Sequence, residues 1–486
     1  MKYHVVTLGC QMNKSDSERL SKVIEDMGFT WTDIEDEATL LGVVACSVRQ
    51  KAIDKVYTKI YKWNKAKNNR NLITFVSGCV LPADREKFLK QFDLVFQMSE
   101  LTQLPAMVSQ YGVAGPFRLN SAVGLFQQTE ATPNVGADFQ TLKFDNKVTI
   151  TGQPVMMKKP DKKIESFWDI KPLYNSDFEA FVPIQNGCDK FCTYCAVPYT
   201  RGREISRPSG EIIEEVKSLA DKGFKSITLL GQNVNSYGRD KKGEEITFAQ
   251  LLEKIGNYGD NCGKGFWLYF TSPHPQDMTD DVIEAISRHK CLAKQIHLPL
   301  QSGDDKMLIH MNRSHSLAGY RNIVNTIRRL LPEATLFTDI IVGFTGETDE
   351  QFENTCKAME EFRFNMAYIA RYSPRPGATS SRWADDIPHA VKKDRLHRLS
   401  SILQAHSLEL NKKMVGCEYK VLVIQADRKK GYLSGLTEGK IIVRFASDRP
   451  GLTGKFVKVK ITSAADFAIE GELTGVYSEV NECVAL

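Results

Sequence analysis

Asn186-Gly187-Cys188-Asp189-Lys190-Phe191-Cys192-Thr193-Tyr194-Cys195 is the stretch on which the reading of this chain turns. Its cysteines are spaced C-x3-C-x2-C. Three thiolates on one tight loop grip three corners of a cubane iron–sulfur cluster and leave the fourth iron without a protein ligand. Electron-transfer clusters take four Cys, whereas an open iron binds and activates a small molecule. The blander readings are a zinc site, a disulfide framework, or three unrelated buried thiols. Zinc needs a fourth ligand, and no His or Cys follows Cys195 for dozens of residues. A disulfide framework needs an oxidising compartment. Just upstream, Phe181-Val182-Pro183-Ile184-Gln185 is strand-like. The cysteines therefore fall on a loop beyond a strand end, where barrel active sites lie.

Outward from this loop, strands and helices alternate from Phe181 to about Ser373. The strand candidates are Phe181–Gln185, Ser226–Leu230, Phe266–Phe270, Gln295–Leu300, Phe337–Val342 and Met366–Arg371. Helices such as Gly210–Lys222 and Ser316–Leu331 fall between them. Six βα units predict a partial barrel, not a closed eightfold one. The loops after these strands read Gly231-Gln232-Asn233, Thr271-Ser272-Pro273, Gln301-Ser302-Gly303 and Gly343-Phe344-Thr345-Gly346. Small and polar residues recurring at one barrel end suit a ligand-binding mouth.

The first ~115 residues predict a small open parallel sheet. Strand candidates are Tyr3–Leu8, Gly42–Ala45 and Ile73–Ser77, with helices Ser15–Met27 and Val48–Lys62 between them. Each strand is followed by a cysteine: Cys10, Cys46 and Cys79. Ligands bind at the carboxyl ends of strands in such sheets, so these three thiols are expected to converge. The alternative is three small apolar residues closing strands. Residues 118–172 have weak periodicity and read as a partly ordered linker, with a short hairpin around Lys147–Thr151. His389–Met414 is a packing helix. Tyr419–Ile424, Ile441–Phe445 and Phe456–Ile461 predict a small all-β barrel, a shape that often binds RNA. Residues 411–486 carry twelve Lys and Arg against nine Asp and Glu, too small a bias to decide that.

With 486 residues the chain is too long for one core, and two to four domains are expected. No apolar run reaches the ~20 residues that span a bilayer, and the start is too short for a signal peptide. Eleven cysteines without an export signal fit reduced thiols, some of them ligands. The net charge of +5 permits a polyanionic partner without demanding one.

These pieces together resemble the methylthiotransferases of the radical S-adenosylmethionine (SAM) class, along nearly the whole chain. The resemblance rests on Gly9-Cys10-Gln11-Met12-Asn13, Cys46-Ser47-Val48-Arg49 and Gly187 through Cys195. It continues in Val197-Pro198-Tyr199-Thr200-Arg201-Gly202-Arg203-Glu204-Ile205-Ser206-Arg207 and Gly231-Gln232-Asn233-Val234-Asn235-Ser236-Tyr237. Further carriers are His297-Leu298-Pro299-Leu300-Gln301-Ser302-Gly303, Met311-Asn312-Arg313 and Tyr372-Ser373-Pro374-Arg375-Pro376-Gly377. It implies an α/β chain in four parts: an N-terminal open parallel-sheet domain over 1–117, a linker over 118–172, a partial (β/α)6 radical SAM barrel over 173–412, and a TRAM-type β-barrel over 413–480. The chain departs from the family at Val44-Ala45 (usually Asn-Thr), Thr345 (usually Pro), Ser314-His315 (often Gly-Tyr) and Leu436 (usually Arg).

The resemblance further implies two [4Fe-4S] clusters. Cys188, Cys192 and Cys195 would hold the one that cleaves SAM, and Cys10, Cys46 and Cys79 a second that carries or supplies sulfur. It implies methylthiolation at carbon 2 of an isopentenylated adenosine in a tRNA anticodon loop. One SAM would give the methyl group and another the radical. Tyr194, Gln232, Asn233 and Ser302 are the expected SAM contacts. Arg201, Arg203 and Arg207 are expected at tRNA, at least one of them being a plain surface charge. The other open readings are methylthiolation of threonylcarbamoyl-adenosine or of a ribosomal protein, and a non-enzymatic iron–sulfur or zinc RNA-binding protein. A cytoplasmic monomer is expected, reduced by a partner such as flavodoxin or ferredoxin. Cys262, Cys291, Cys356, Cys417 and Cys483 match no motif and read as structural.

Overall fold

In the computed structural model the described residues are 1–47, 50–111, 164–477 and 483–485. They fall into two units, Met1–Leu173 and Tyr174–Leu486. The hairpin expected around Lys147–Thr151 lies outside them.

The first unit is an all-parallel sheet of five strands: Lys2–Leu8, Thr30–Trp31, Leu40–Cys46, Ile73–Cys79 and Leu94–Val95. Numbered 1 to 5 along the chain, they lie in the order 2-1-3-4-5. Leu40–Cys46 is buried throughout, as a strand covered on both faces must be. Helix Gln50–Ala66 turns Ile53, Val56, Ile60 and Trp63 onto the sheet, the spacing of one helical face. Its expected first residues, 48 and 49, are outside the described set. Helix Gln11–Asp26 begins four residues before the expected Ser15, because Cys10 and Asn13 form a capping box at its start. The tail of the expected linker is packed: Phe167 and Trp168 are buried, with the Arg19 guanidinium 5.4 Å over the Phe167 ring.

The second unit holds six parallel strands in chain order: Glu179–Pro183, Ser226–Leu230, Trp267–Phe270, Gln295–His297, Thr335–Val342 and Met366–Arg371. They form two three-stranded sheets, linked by a bridge between Leu268 and Leu292. This is the partial (β/α)6 barrel. The fourth strand stops three residues short of the expected Leu300, since Pro299 has no N–H to continue a ladder. Beyond helix His389–Lys412, strands Glu418–Ala426, Tyr432–Thr437, Ile442–Ala446, Phe456–Ala464 and Ala468–Tyr477 close on themselves through a pairing of Ile442–Ala446 with Ala468–Tyr477. Tyr432–Thr437 and Ala468–Tyr477 are strands the sequence pattern missed.

The small barrel docks on the large one. Leu268 and Phe270 point to the helices, while Trp267 and Tyr269 point the other way, onto Leu422 and Phe456. The Trp267 and Phe456 rings meet edge-on at 4.6 Å. The Tyr269 hydroxyl donates to the Glu438 carbonyl at 3.0 Å, and the Thr335 hydroxyl to the Gly439 carbonyl at 2.7 Å. A Cβ on Gly439 would lie 2.5 Å from Thr335 Cγ2, so this turn approaches as only glycine allows. The next residue, Lys440, places its ammonium 4.2 Å over the Tyr269 ring. No helix among the described residues is long and apolar enough to cross a membrane.

Burial lowers Lys440 to about 8, against partial compensation from Glu179. Between pH about 8 and the ordinary lysine value near 10.4, the folded chain holds fewer protons there than the unfolded chain, so stability rises with pH. Lys440→Met is expected to remove a rise of roughly 3 kcal/mol across that window. Urea unfolding of both proteins at pH 7.5 and pH 10 checks it.

Candidate metal centres

In the first unit the topology gathers the three separated cysteines. The order 2-1-3-4-5 puts the switch point between the first and third strands, where open sheets of this kind take ligands. Cys46 and Cys79 are the last residues of neighbouring strands and stand in register with each other. Cys10 is the N-cap of helix Gln11–Asp26. One side chain links all three ends. Asn13 Oδ1 accepts from the Cys10 backbone N–H at 3.3 Å and from its Sγ at 3.6 Å. Its Nδ2 donates to Cys79 Sγ at 3.8 Å and to the Ala45 carbonyl at 3.4 Å. Gly78, at φ +102°, has room for no Cβ, which would meet the Ala45 carbonyl at 2.5 Å.

In the second unit the cysteine loop is held by residues outside it. Gly187, at φ +84°, would put a Cβ 2.0 Å from the Arg203 carbonyl. Its N–H donates to Gln232 Oε1. Asn312, itself at φ +52°, donates to the Phe191 carbonyl at 2.9 Å. Thr193 N–H donates to the Met311 carbonyl at 3.0 Å. Arg313 is buried, with Nη1 at 3.4 Å from Cys192 Sγ and Nη2 at 3.2 Å from the Pro299 carbonyl, while its Nε has no partner.

Burial, with the neighbouring Cys192 sulfur acting in the same direction, pushes the Cys188 thiol up to about 11 and the Cys195 thiol up to about 12. Bare, they stay protonated at neutral pH; binding iron is what removes the proton. The buried Arg313 guanidinium donates to the Cys192 sulfur. Among the described residues no three His, Cys, Asp or Glu are grouped as around a single metal ion. The donor sets fit clusters carried on three thiolates each. The described cysteines form no disulfide.

The other expected residues divide. Tyr194 is half-buried, its ring edge-on to Phe344 at 6.4 Å. Asn233 is buried, donates to Asp277 Oδ2 at 2.9 Å and leaves its Oδ1 without a partner. Asp277 also takes Lys190 of the cysteine loop at 2.8 Å. Ser302 is fully buried, its hydroxyl 3.3 Å from that of Thr355. Arg201 is tied to Asn186, whose Nδ2 donates to its carbonyl at 2.9 Å. Arg203 is exposed and paired with Asp189 at 2.7 Å. Arg207 corrects the expectation of an RNA contact: it is buried between Glu211 and Glu215. Cys291 and Cys356 are buried in the core, whereas Cys417 is exposed.

Sequence reading missed Asn13 and Arg313, although both stand in quoted motifs. It also gave no role to His274 and His315. Their rings meet edge-on at 5.7 Å, and burial, then Arg313, lowers them to about 2 and about 3. Both are neutral at pH 7.

Comparison with known proteins now adds to this geometry. Residues 182–359 match the Radical SAM superfamily, residues 412–474 the TRAM domain, and residues 2–98 the family described as Uncharacterized protein family UPF0004. A tRNA-2-methylthio-N(6)-dimethylallyladenosine synthase of Carboxydothermus hydrogenoformans is 36% identical over 97% of this chain and 99% of its own. One of Thermoanaerobacter pseudethanolicus is 37% identical over 98% and 93%. The chain belongs to the tRNA-2-methylthio-N(6)-dimethylallyladenosine synthase family. That family works with [4Fe-4S] clusters, two per chain, and with SAM. Among solved structures, the radical SAM methyltransferase TsrM of Kitasatospora setae covers 93% of this chain and 81% of its own, with a TM-score of 0.52 at 12% identity. This likeness shows the fold.

Gly187→Ala is expected to lower iron by about four atoms per chain on anaerobic reconstitution. Gly210→Ala, where a Cβ meets open space, is expected to keep the full content. Iron and acid-labile sulfide assays check both.

Proposed function

We propose that this chain replaces the hydrogen on carbon 2 of N6-dimethylallyladenosine, in a tRNA anticodon loop, with a methylthio group. Carbon 2 is an unactivated aromatic carbon, so acid–base chemistry alone does not reach it. Bound there, the clusters and SAM supply the radical, the sulfur and the methyl group. Cys188, Cys192 and Cys195 are the proposed ligands of the SAM-cleaving cluster, and Cys10, Cys46 and Cys79 those of the second. Arg313 and Asn13 orient the thiols by donating to sulfur. Tyr194, Gln232 and Asn233 wall the SAM site, with Ser302 fixing the loop behind it. Arg201 and Arg203 meet tRNA phosphate. The four-part division at 117, 172 and 412, a cytoplasmic location, a monomeric state and reduction by flavodoxin or ferredoxin complete the reading.

The observation that carries it is the presence of two cysteine triads, each set by the local fold and each contacted at sulfur by a side-chain donor. The test is a Cys10/Cys46/Cys79→Ala triple variant beside wild type. Iron is expected to fall from about eight to about four per chain. The variant should still cleave SAM under reduction but form no methylthiolated RNA. Four irons in both proteins would reduce the reading to a single-cluster radical SAM enzyme, and zinc without iron would return it to a non-enzymatic protein.

A further inference from the structure

A groove of about 660 Å³ runs along the open edge of the partial barrel, beside strand Met366–Arg371. Ile341, Met366, Leu403 and Phe467 make its wall largely apolar. Asp339 and Tyr368 stand in it. Tyr368 is 54% exposed, an aromatic that no core requires. His297 Nε2 lies 2.8 Å from Asp339 Oδ2, and the His297 ring is 5.6 Å from that of Tyr368 at a 45° tilt. The three side chains come from the fourth, fifth and sixth barrel strands. The groove borders the cysteine loop's surroundings, since Ile341 of its wall packs on the same apolar cluster as Tyr194.

We propose that His297, Asp339 and Tyr368 seat the substrate nucleobase, a purine carrying an apolar N6 substituent. This rests on the methylthiotransferase reading above and names the subsite within it. The base stacks on the free face of Tyr368, because every base offers a π-face and an exposed tyrosine is the usual platform for an unstacked one. The His297–Asp339 pair offers a second ring nitrogen and carboxylate oxygens to a purine edge, which mixes acceptors with an N6 donor. The apolar wall receives the N6 substituent, which has no other favourable place beside a charged RNA backbone. The occupant is a single splayed base and not a peptide, because a lone aromatic beside a hydrogen-bonded His–Asp pair matches a planar heteroaromatic ring.

The test uses reconstituted holoenzyme and a fluorescent anticodon stem-loop carrying N6-dimethylallyladenosine, beside the same RNA with plain adenosine. Wild type should bind the modified RNA more tightly. Tyr368→Ala should raise Kd for the modified RNA about tenfold and narrow that preference, and Tyr368→Phe should restore both. Ala370→Trp, which crowds the groove, should also narrow the preference. Wild-type affinity in Tyr368→Ala overturns the subsite, as does Tyr368→Phe binding no better than Tyr368→Ala. If wild type methylthiolates the RNA while either result holds, only the subsite falls. If wild type neither binds nor methylthiolates it, the functional reading and the subsite fall together.

Discussion

The reactive end of the second unit depends on a backbone held in a conformation its own residues do not favour. Phe191 sits at φ +49° and Asn312 at φ +52°, each costing on the order of 1–3 kcal/mol for a non-glycine residue. The restraint is external. Asn312 donates to the Phe191 carbonyl, Thr193 N–H to the Met311 carbonyl, Ser380 N–H to the Thr193 carbonyl, and Cys188 N–H to the Gly202 carbonyl. At about 1 kcal/mol apiece, these bonds offset the strain only as a set. The positions of the thiols are therefore fixed by elements outside the loop.

The first unit reaches a comparable end by other means. Its thiols sit where strands stop and a helix starts, so regular structure does the positioning. Cys10 sits at the N-cap of a sixteen-residue helix, in a capping box with Asn13. The neighbouring strand ends bring Cys46 and Cys79 into register. The two units share the use of a neutral or cationic nitrogen toward sulfur: the Asn13 amide in one, the Arg313 guanidinium in the other. Such contacts orient a ligand and tune its basicity.

What the sequence made legible follows from range. The strands and helices of both α/β regions carry strong periodicity, and cysteine spacing is local, so both could be read directly. Tyr432–Thr437 and Ala468–Tyr477 could not, because Ser434, Gly435, Gly471 and Gly475 interrupt the alternation that marks a strand. A Cβ on Gly435 or Gly471 would meet a neighbouring carbonyl at 2.6 and 2.4 Å, so barrel closure itself demands the residues that hide the pattern. Arg207 shows the opposite failure. It looks like a free cation in sequence, but Glu211 and Glu215 lie one and two helical turns on and bury it. The pairing of Asn13 with Cys79 and of Arg313 with Cys192 spans 66 and 121 residues, beyond any local signal.

The incompleteness of the large barrel has a chemical consequence. Eight strands would close the interior and admit only small molecules through the mouth. Here the ladder ends at Glu179–Pro183 on one side and Met366–Arg371 on the other. The docked β-barrel covers Trp267, Tyr269 and Phe337 and reaches the edge beside Tyr368 only through Phe467, leaving Tyr368 itself exposed. A side opening is what a macromolecular substrate needs, since only one splayed residue of an RNA loop has to enter while the rest stays outside. Closing the barrel would protect the chemistry from solvent at the cost of excluding the substrate. The polar trio and apolar wall at the open edge resolve that conflict, because an inserted base itself displaces water from the gap.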